Sequence, residues 1–352
     1  MDDIRKAAQN GNVDDLENVL MEFPDLIDAP GFYTNTPMHI AAKYGHISII
    51  ETLDRLGSTA IDTPDDDGIT PMYVAAENGH VSVIETLIRL GSTSIDAPSN
   101  NNGYTPVYVA ALHGHDSVIE TLVRLGSKSI DTLCIYGCTP MYTAAEGGHV
   151  SVIEALVRLG STAIDTPNRF GLTPIYAAAR HGHDPIIETL VRLGSTTINT
   201  PDIDGWTPMY IAARYGRVSV IETLIRLGST AIDIPDNYGE TPMHAAACHG
   251  HVSVIETLVR LGSTAIDTPN IYGQSPIDAA YRLDRKTLIT LYYLGAARND
   301  SCSFVYNEDE SAEIRHRVYF QRSLVSRCLF YLSITNTRWI CSLRCSSSSK
   351  KK

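Results

Sequence analysis

The chain has no glycine-rich phosphate loop, no nucleophile elbow and no carboxylate pair standing apart from its regular pattern. An enzyme would have almost nothing to be built on, and no substrate or cofactor is expected. It is short of positive charge, with 28 Lys and Arg against 40 Asp and Glu and a net charge of −12. That deficit is uneven, because residues 1–298 carry about −16 and residues 299–352 about +4. Tracking a phosphate backbone needs a positive stripe, so nucleic acid is disfavoured along the acidic part. Cysteine is sparse, at 7 residues with no regular spacing, which reads as a reducing compartment. Met1–Lys6 has neither a basic nor an apolar leader region, so no secretory signal is evident and the expected location is intracellular and cytoplasmic. A membrane span over 324–343 is disfavoured, since Arg327 and Arg338 would each cost about 2.5–3.5 kcal/mol near its centre.

What the sequence does have is repetition. Thr-Pro recurs at Thr36, Thr70, Thr105, Thr139, Thr173, Thr207 and Thr241, with Ser275-Pro276 as an eighth copy. The spacing is 34 residues except where the run from Asn100 to Asn102 adds one. Such a period marks a solenoid, so domain and motif readings follow from the unit. Within the copy that starts at Gly68, Thr70 is a good N-cap and Pro71 fits the first helical position. Ala75-Ala76 lets neighbours approach, and Gly79 can end a helix of about two turns. A second helix over Ser82–Leu90 places Val83, Ile84, Leu87 and Ile88 on one apolar face, and Gly91 stops it. The polar stretch that follows is a projecting turn. Neither helix can bury its apolar face alone, so the units stack. Nine of them, about 9 Å apart, would extend roughly 80 Å.

These motifs resemble those of ankyrin repeat proteins over residues 1–298. Thr36-Pro37-Met38-His39 and Thr241-Pro242-Met243-His244 are similar to the family's Thr-Pro-Leu-His, and Gly-His recurs at His46, His80, His115, His149, His183 and His251. The departures are Tyr73, Tyr108, Tyr142, Tyr176 and Tyr210 in place of that first histidine, Arg217 in place of a Gly-His histidine, and one extra residue per unit in Ser-Thr-Ala-Ile-Asp. The resemblance implies an all-α ankyrin-repeat solenoid with projecting hairpin loops. Residues 1–30 form an N-terminal capping unit. Residues 31–298 form the array of about eight units, the last one terminal, with Asp284-Arg285 replacing Gly-His.

Beyond the array, residues 299–312 read as an acidic linker and 313–352 as a basic tail. The tail has helical spacing over 313–333 and a low-complexity end. Three roles are open for it: a helix capping the last unit, a basic amphipathic helix on a membrane, or an adaptor segment.

Recurring features have bland readings. The Gly-His histidines would lie about 9 Å apart, too far to share a zinc ion, and read as turn-stabilising. Glu and Arg four apart, as in Glu85/Arg89 and Glu154/Arg158, read as pairs within each second helix worth about 0.2–0.5 kcal/mol. Cys134/Cys138 and Cys341/Cys345 have the spacing of a zinc half-site, but nothing completes either set, so no metal is expected.

Difference between copies is where recognition can reside. Aromatic residues mark seven of the eight hairpin tips: Tyr33, Tyr104, Tyr136, Phe170, Trp206, Tyr238 and Tyr272. Residues 65–67, all Asp, are the exception. The ends of the first helices also vary, with Tyr44, Glu77, His113, Arg180, His181, Arg214, Tyr215 and His249 among them. In ankyrin proteins the hairpins and first helices line a concave binding face, so the resemblance implies that these residues form it. Aromatic and Arg side chains are the ones most enriched at interface hot spots. The expected partner is a protein, as an extended or acidic segment lying where Arg169, Arg180 and Arg214 gather.

Overall fold

The computed structural model describes residues 2–31, 34–280 and 285–295. The acidic linker and basic tail, with Cys341/Cys345 and the readings made for them, lie outside the described residues. So does Tyr33. Among the described residues every regular element is a helix, and none is long and apolar enough to cross a membrane.

Two compact units divide the chain, Met1–Asn237 and Tyr238–Lys352. The first is a stack of helix pairs that begins with Asp2–Asn10 and Val13–Glu22 and ends with Pro208–Arg214 and Val218–Arg226. In the second, Pro242–Cys248 and Val252–Arg260 precede the shorter Pro276–Ala280 and Arg285–Leu294. Each pair begins as its sequence dictates. The Thr70 hydroxyl caps the helix Pro71–Glu77 by accepting from the Tyr73 amide, and Thr105, Thr139, Thr173 and Thr207 repeat the bond. The second helices start one residue before the expected Ser, as in Val81–Arg89, and bury most of the apolar face predicted for them: Val83, Ile84 and Leu87 are fully buried, whereas Ile88 is only half-buried and Thr86 is buried in its stead.

The Gly-His turn has a different role from the one expected. The turn is closed by the backbone, with the His80 amide donating to Ala75 at 2.9 Å. The imidazole instead reaches into the preceding copy, where its Nε2–H donates to the last carbonyls of the neighbouring first helix. His80 donates to Lys43 at 2.9 Å, His115 to Glu77 at 3.0 Å, His149 to Leu112 at 3.1 Å and His183 to Glu146 at 3.0 Å. Those carbonyls are the ones a helix end leaves without an internal partner. Arg217 does the same work, its Nε–H donating to Arg180 at 3.3 Å.

The Glu and Arg of the second helices also pair differently. The salt bridges run between copies: Arg124 meets Glu85 at 2.6 Å and Arg192 meets Glu154 at 2.6 Å, while Arg55–Glu17, Arg158–Glu120 and Arg226–Glu188 repeat the geometry. An Arg on this face can turn toward its own helix or toward the one beside it, and the neighbour's carboxylate wins. More than half of each Arg side chain is exposed, so a single bridge contributes little.

The extra residue of each copy belongs to a short 3-10 turn, such as Ser94–Asp96, which builds a second ladder. The Asp62 carboxylate accepts from Ser92 Oγ and, at 2.8 Å each, from the Thr93 amide and hydroxyl of the next copy. Asp28, Asp131 and Asp165 repeat this, Asp96 does so without the hydroxyl because Lys128 replaces the threonine, and Asn199 stands in once. Burial pushes the Asp165 carboxyl up, but hydrogen bonds from Ser195, Thr196 and Thr197 outweigh it and hold it below the ordinary carboxylate value. Asp62 and Asp96 are held low in the same way. A carboxylate whose folded pKa is depressed contributes stability that is complete above its unfolded pKa, near 3.9, and is lost as pH falls through the folded value. Asp165→Asn keeps an acceptor, as Asn199 does naturally, but removes that titration. It is expected to flatten the loss of stability with acid, read from urea unfolding between about pH 5 and pH 2.5.

Candidate functional site

In the first unit the side chain three residues after each Thr-Pro threonine sets how a hairpin is joined to the first helix that follows it. Where that residue is histidine, its ring is fixed by the backbone. His39 Nε2–H donates to Ile69 O at 3.0 Å, which leaves Nδ1 to accept from the Thr36 amide and hydroxyl. Burial lowers its pKa, with the Ile69 bond opposing, so the neutral ring is the stable form. Where tyrosine replaces it, the larger ring fills the same buried position, and burial pushes the Tyr108 and Tyr176 phenols up.

The aromatic residues of the hairpins do not form one row. They occupy two registers. Tyr136 and Phe170 lie three residues before the Thr-Pro threonine, at the outer tip, and are 50% and 51% exposed. Tyr104 and Trp206 lie one residue before it, on the helix side, and stack on the tyrosine of the first helix. The Tyr104–Tyr108 ring centroids are 4.2 Å apart and those of Trp206–Tyr210 are 5.4 Å apart. The backbone joins tip to tip, with Arg169 N–H donating to Tyr136 O and Ile203 N–H to Phe170 O. In the second unit Tyr238 and Tyr272 take the outer register and are exposed, and Ile271 N–H donates to Tyr238 O.

Inward of the tips, in the later copies of the first unit, aromatic and basic groups converge. The Arg214 guanidinium carbon lies 4.6 Å from the Trp206 ring centroid and that of Arg180 lies 5.5 Å from Tyr215. Trp206 Nε1–H donates to Asp236 at 3.1 Å, a partner that variability alone did not single out; its signal is the carboxylate or amide that opens most of the described hairpins. Trp206 is thereby held by a stacked ring, by a guanidinium and at its polar edge. His181 lies 3.6 Å from Glu146, and burial keeps its pKa low despite that carboxylate.

The earlier copies arrange their variable residues differently. Tyr44 is exposed and stacks loosely on His46, 6.3 Å away. With Arg5, Lys43, Asp65 and Glu77 it lines a cleft of about 360 Å³ in which both signs of charge mix. The exposed His113 donates from Nδ1 to Val109 O at 3.0 Å, and in the second unit His249 does the same to Ala245 at 2.9 Å. Of the expected residues, Trp206 pairs with Arg214 and Tyr215 with Arg180, whereas Tyr136 and Phe170 are exposed at the outer tips, His113 bonds its own helix and Tyr44 lies beside His46.

A stack of capped helix pairs joined by projecting hairpins is a helical repeat scaffold. The family described as "Ankyrin repeats (3 copies)" matches residues 4–98, 38–132, 94–166, 125–199, 159–235 and 193–270, and the chain belongs to it. Repeats of this family generally serve as protein–protein interaction modules and are typically non-catalytic. Among solved structures, the human ASB11 ankyrin repeat domain is similar at 26% identity with a TM-score of 0.57, over 65% of this chain and 100% of that one. No curated protein sequence matches.

Proposed function

We propose that this protein binds a protein partner non-catalytically through the hairpin and first-helix face of its first unit. The partner presents an extended acidic segment to the later copies. The observation that carries this reading is the pair of stacked guanidiniums, Arg214 on Trp206 and Arg180 on Tyr215. Stacking limits the orientations each guanidinium plane can take. A planar, pre-oriented fork suits a carboxylate better than a mobile ammonium does, and little side-chain entropy remains to be lost on binding.

The test begins with affinity capture on the full chain and identification of what is retained. Affinity is then measured for Arg180→Ala, Trp206→Ala and Arg214→Ala. Trp206→Ala is expected to weaken binding about 30-fold, or about 2 kcal/mol, because it removes the anchor and releases Arg214. The two Arg variants should weaken it less and flatten its salt dependence. Unchanged affinity in all three sinks the reading.

A further inference from the structure

The early copies leave charged groups unpaired at positions that later copies engage. Seven residues after the Thr-Pro threonine, at the end of the first helix, two later side chains meet the following copy: Arg180 lies 5.5 Å from the Tyr215 ring centroid and Glu146 lies 3.6 Å from His181. Lys43 and Glu77 hold the same position in Pro37–Tyr44 and Pro71–Glu77. Their counterparts in the following copy are engaged elsewhere. Asn78 Nδ2–H donates to Val74 O at 2.8 Å and His113 Nδ1–H to Val109 O at 3.0 Å, each within its own copy. Among the described residues neither the Lys43 ammonium nor the Glu77 carboxylate has a hydrogen bond or an ion pair.

Asp65 adds a buried carboxylate beside them. Its Oδ1 accepts from the Asp67 amide at 3.0 Å and the Ile69 amide at 2.8 Å, whereas its Oδ2 has no partner among the described residues, although Asp65 is only 8% exposed. In other hairpins the second polar atom of this residue is engaged: Asp236 Oδ2 accepts from Trp206 Nε1–H, and in the second unit Asn270 Nδ2–H donates to Glu240. A carboxylate oxygen withdrawn from water without a donor costs free energy that a bound cation recovers. Asp65 and Glu77 line the cleft of about 360 Å³ together with Arg5, Lys43 and Tyr44. The Arg5 guanidinium, also without an ion pair among the described residues, occupies the space that a side chain at Gly31 would take. The signs are sorted by copy. Arg5 comes from Asp2–Asn10 and Lys43 from Pro37–Tyr44, whereas Asp65 comes from the hairpin that leads into Pro71–Glu77 and Glu77 from the end of that helix.

We propose that this cleft binds a ligand that carries a cation and a carboxylate on one short frame, the chemistry of an α-amino acid or of neighbouring basic and acidic side chains in a peptide. The ammonium or guanidinium pairs with Asp65 Oδ2 and Glu77, and the carboxylate with Lys43 and Arg5. A ligand of one sign would meet like charge from the other copies, while a ligand of both signs is matched by each. The exposed Tyr44 ring lines the same cleft and offers apolar surface to the frame between the charges. The volume lies at the lower end of the range of about 300–1,000 Å³ for ligand pockets, which suits a frame of this size.

The full chain is titrated with L-arginine and with agmatine, which is arginine without its carboxylate, and binding is followed by ligand-observed nuclear magnetic resonance. Arginine is expected to bind about 10-fold more tightly than agmatine, the effect of one charge-assisted pair. Asp65→Asn keeps both amide bonds, as Asn168 does in its own hairpin, and removes the charge, so it should weaken both ligands about 10-fold with an unchanged circular dichroism spectrum. Lys43→Gln should weaken arginine by a similar factor without weakening agmatine. Trp206→Ala, which does not line the cleft, should change neither, so a failure here is told apart from a failure of the acidic-segment reading. The blocked peptide acetyl-Arg-Glu-amide separates the two sources: tighter binding of the peptide assigns the cleft to a protein segment, tighter binding of arginine to a free amino acid. Binding of neither overturns the proposal. So do unchanged affinity in Asp65→Asn, equal weakening of arginine and agmatine by Lys43→Gln, and a loss in Trp206→Ala as large as that in Asp65→Asn.

Discussion

Tyr210→Ala is expected to destabilise the first unit by about 3–5 kcal/mol, the range for truncating a buried large aromatic side chain. Tyr210 is 2% exposed and among the largest fully buried side chains. Its ring lies under Trp206, and its backbone amide receives the Thr207 cap. Truncation would leave a cavity between two copies and remove the surface on which Trp206 rests. Tyr210→His separates these effects. The imidazole can adopt the arrangement of His39, bonded to the capping threonine, but covers less of the indole. The substitution should cost far less than Tyr210→Ala, with the lost stacking amounting to about 0.5–1.5 kcal/mol. Urea unfolding followed by far-UV circular dichroism ranks the two, and the same loss in both would refute the stacking account.

Gly114→Ala is expected to cost about 2–3 kcal/mol, and its comparison with Gly126→Ala isolates the histidine strut between copies. Both glycines have a positive φ, +80° and +106°, so either alanine meets the left-handed penalty of about 1–2 kcal/mol. Around Gly126 nothing lies within 4 Å of an added Cβ. At Gly114 that Cβ would be 2.7 Å from His149 Nδ1, so the ring must move and its bond to Leu112 is broken. A net hydrogen bond of about 1 kcal/mol then separates the variants. His149→Ala in the Gly114→Ala background should add little, since the strut is already gone. Full additivity of the two substitutions would show that the strut contributes nothing.

Both predictions concern contacts between copies, and there the sequence and the structure part. Local chemistry was legible residue by residue. Thr70-Pro71 announces a capped helix start, Ala75-Ala76 a close approach and Gly79 a left-handed end. The alternation of apolar and charged residues from Val83 to Leu90 predicts which face is buried. Partner choice was not legible. Glu154 can meet Arg158 within its helix or Arg192 in the next, both within reach, and only the packed stack favours the second. His80 looks like part of its own turn because its neighbours in sequence belong to that turn, yet the carbonyl it satisfies belongs to Lys43.

The aromatic residues make the same point for the candidate site. Counted along the chain, Tyr104, Tyr136, Phe170 and Trp206 look equivalent, each near a hairpin tip. A displacement of two positions sends Tyr104 and Trp206 onto the first helix and leaves Tyr136 and Phe170 at the outer edge. The Arg214–Trp206 and Arg180–Tyr215 stacks follow from that placement, together with the Asp236 bond that holds the indole edge.

The amino-acid sequence by itself determined the unit: where each helix begins and ends, which face is apolar, and that stacking is obligatory, because these depend on residues within a few positions of one another. Which side chains join one copy to the next, and which variable residues share a surface, was decided only by the tertiary structure. Those pairings depend on the spacing and angle of stacked helices, and a repeated sequence offers each side chain nearly equal partners in its own copy and in its neighbour's.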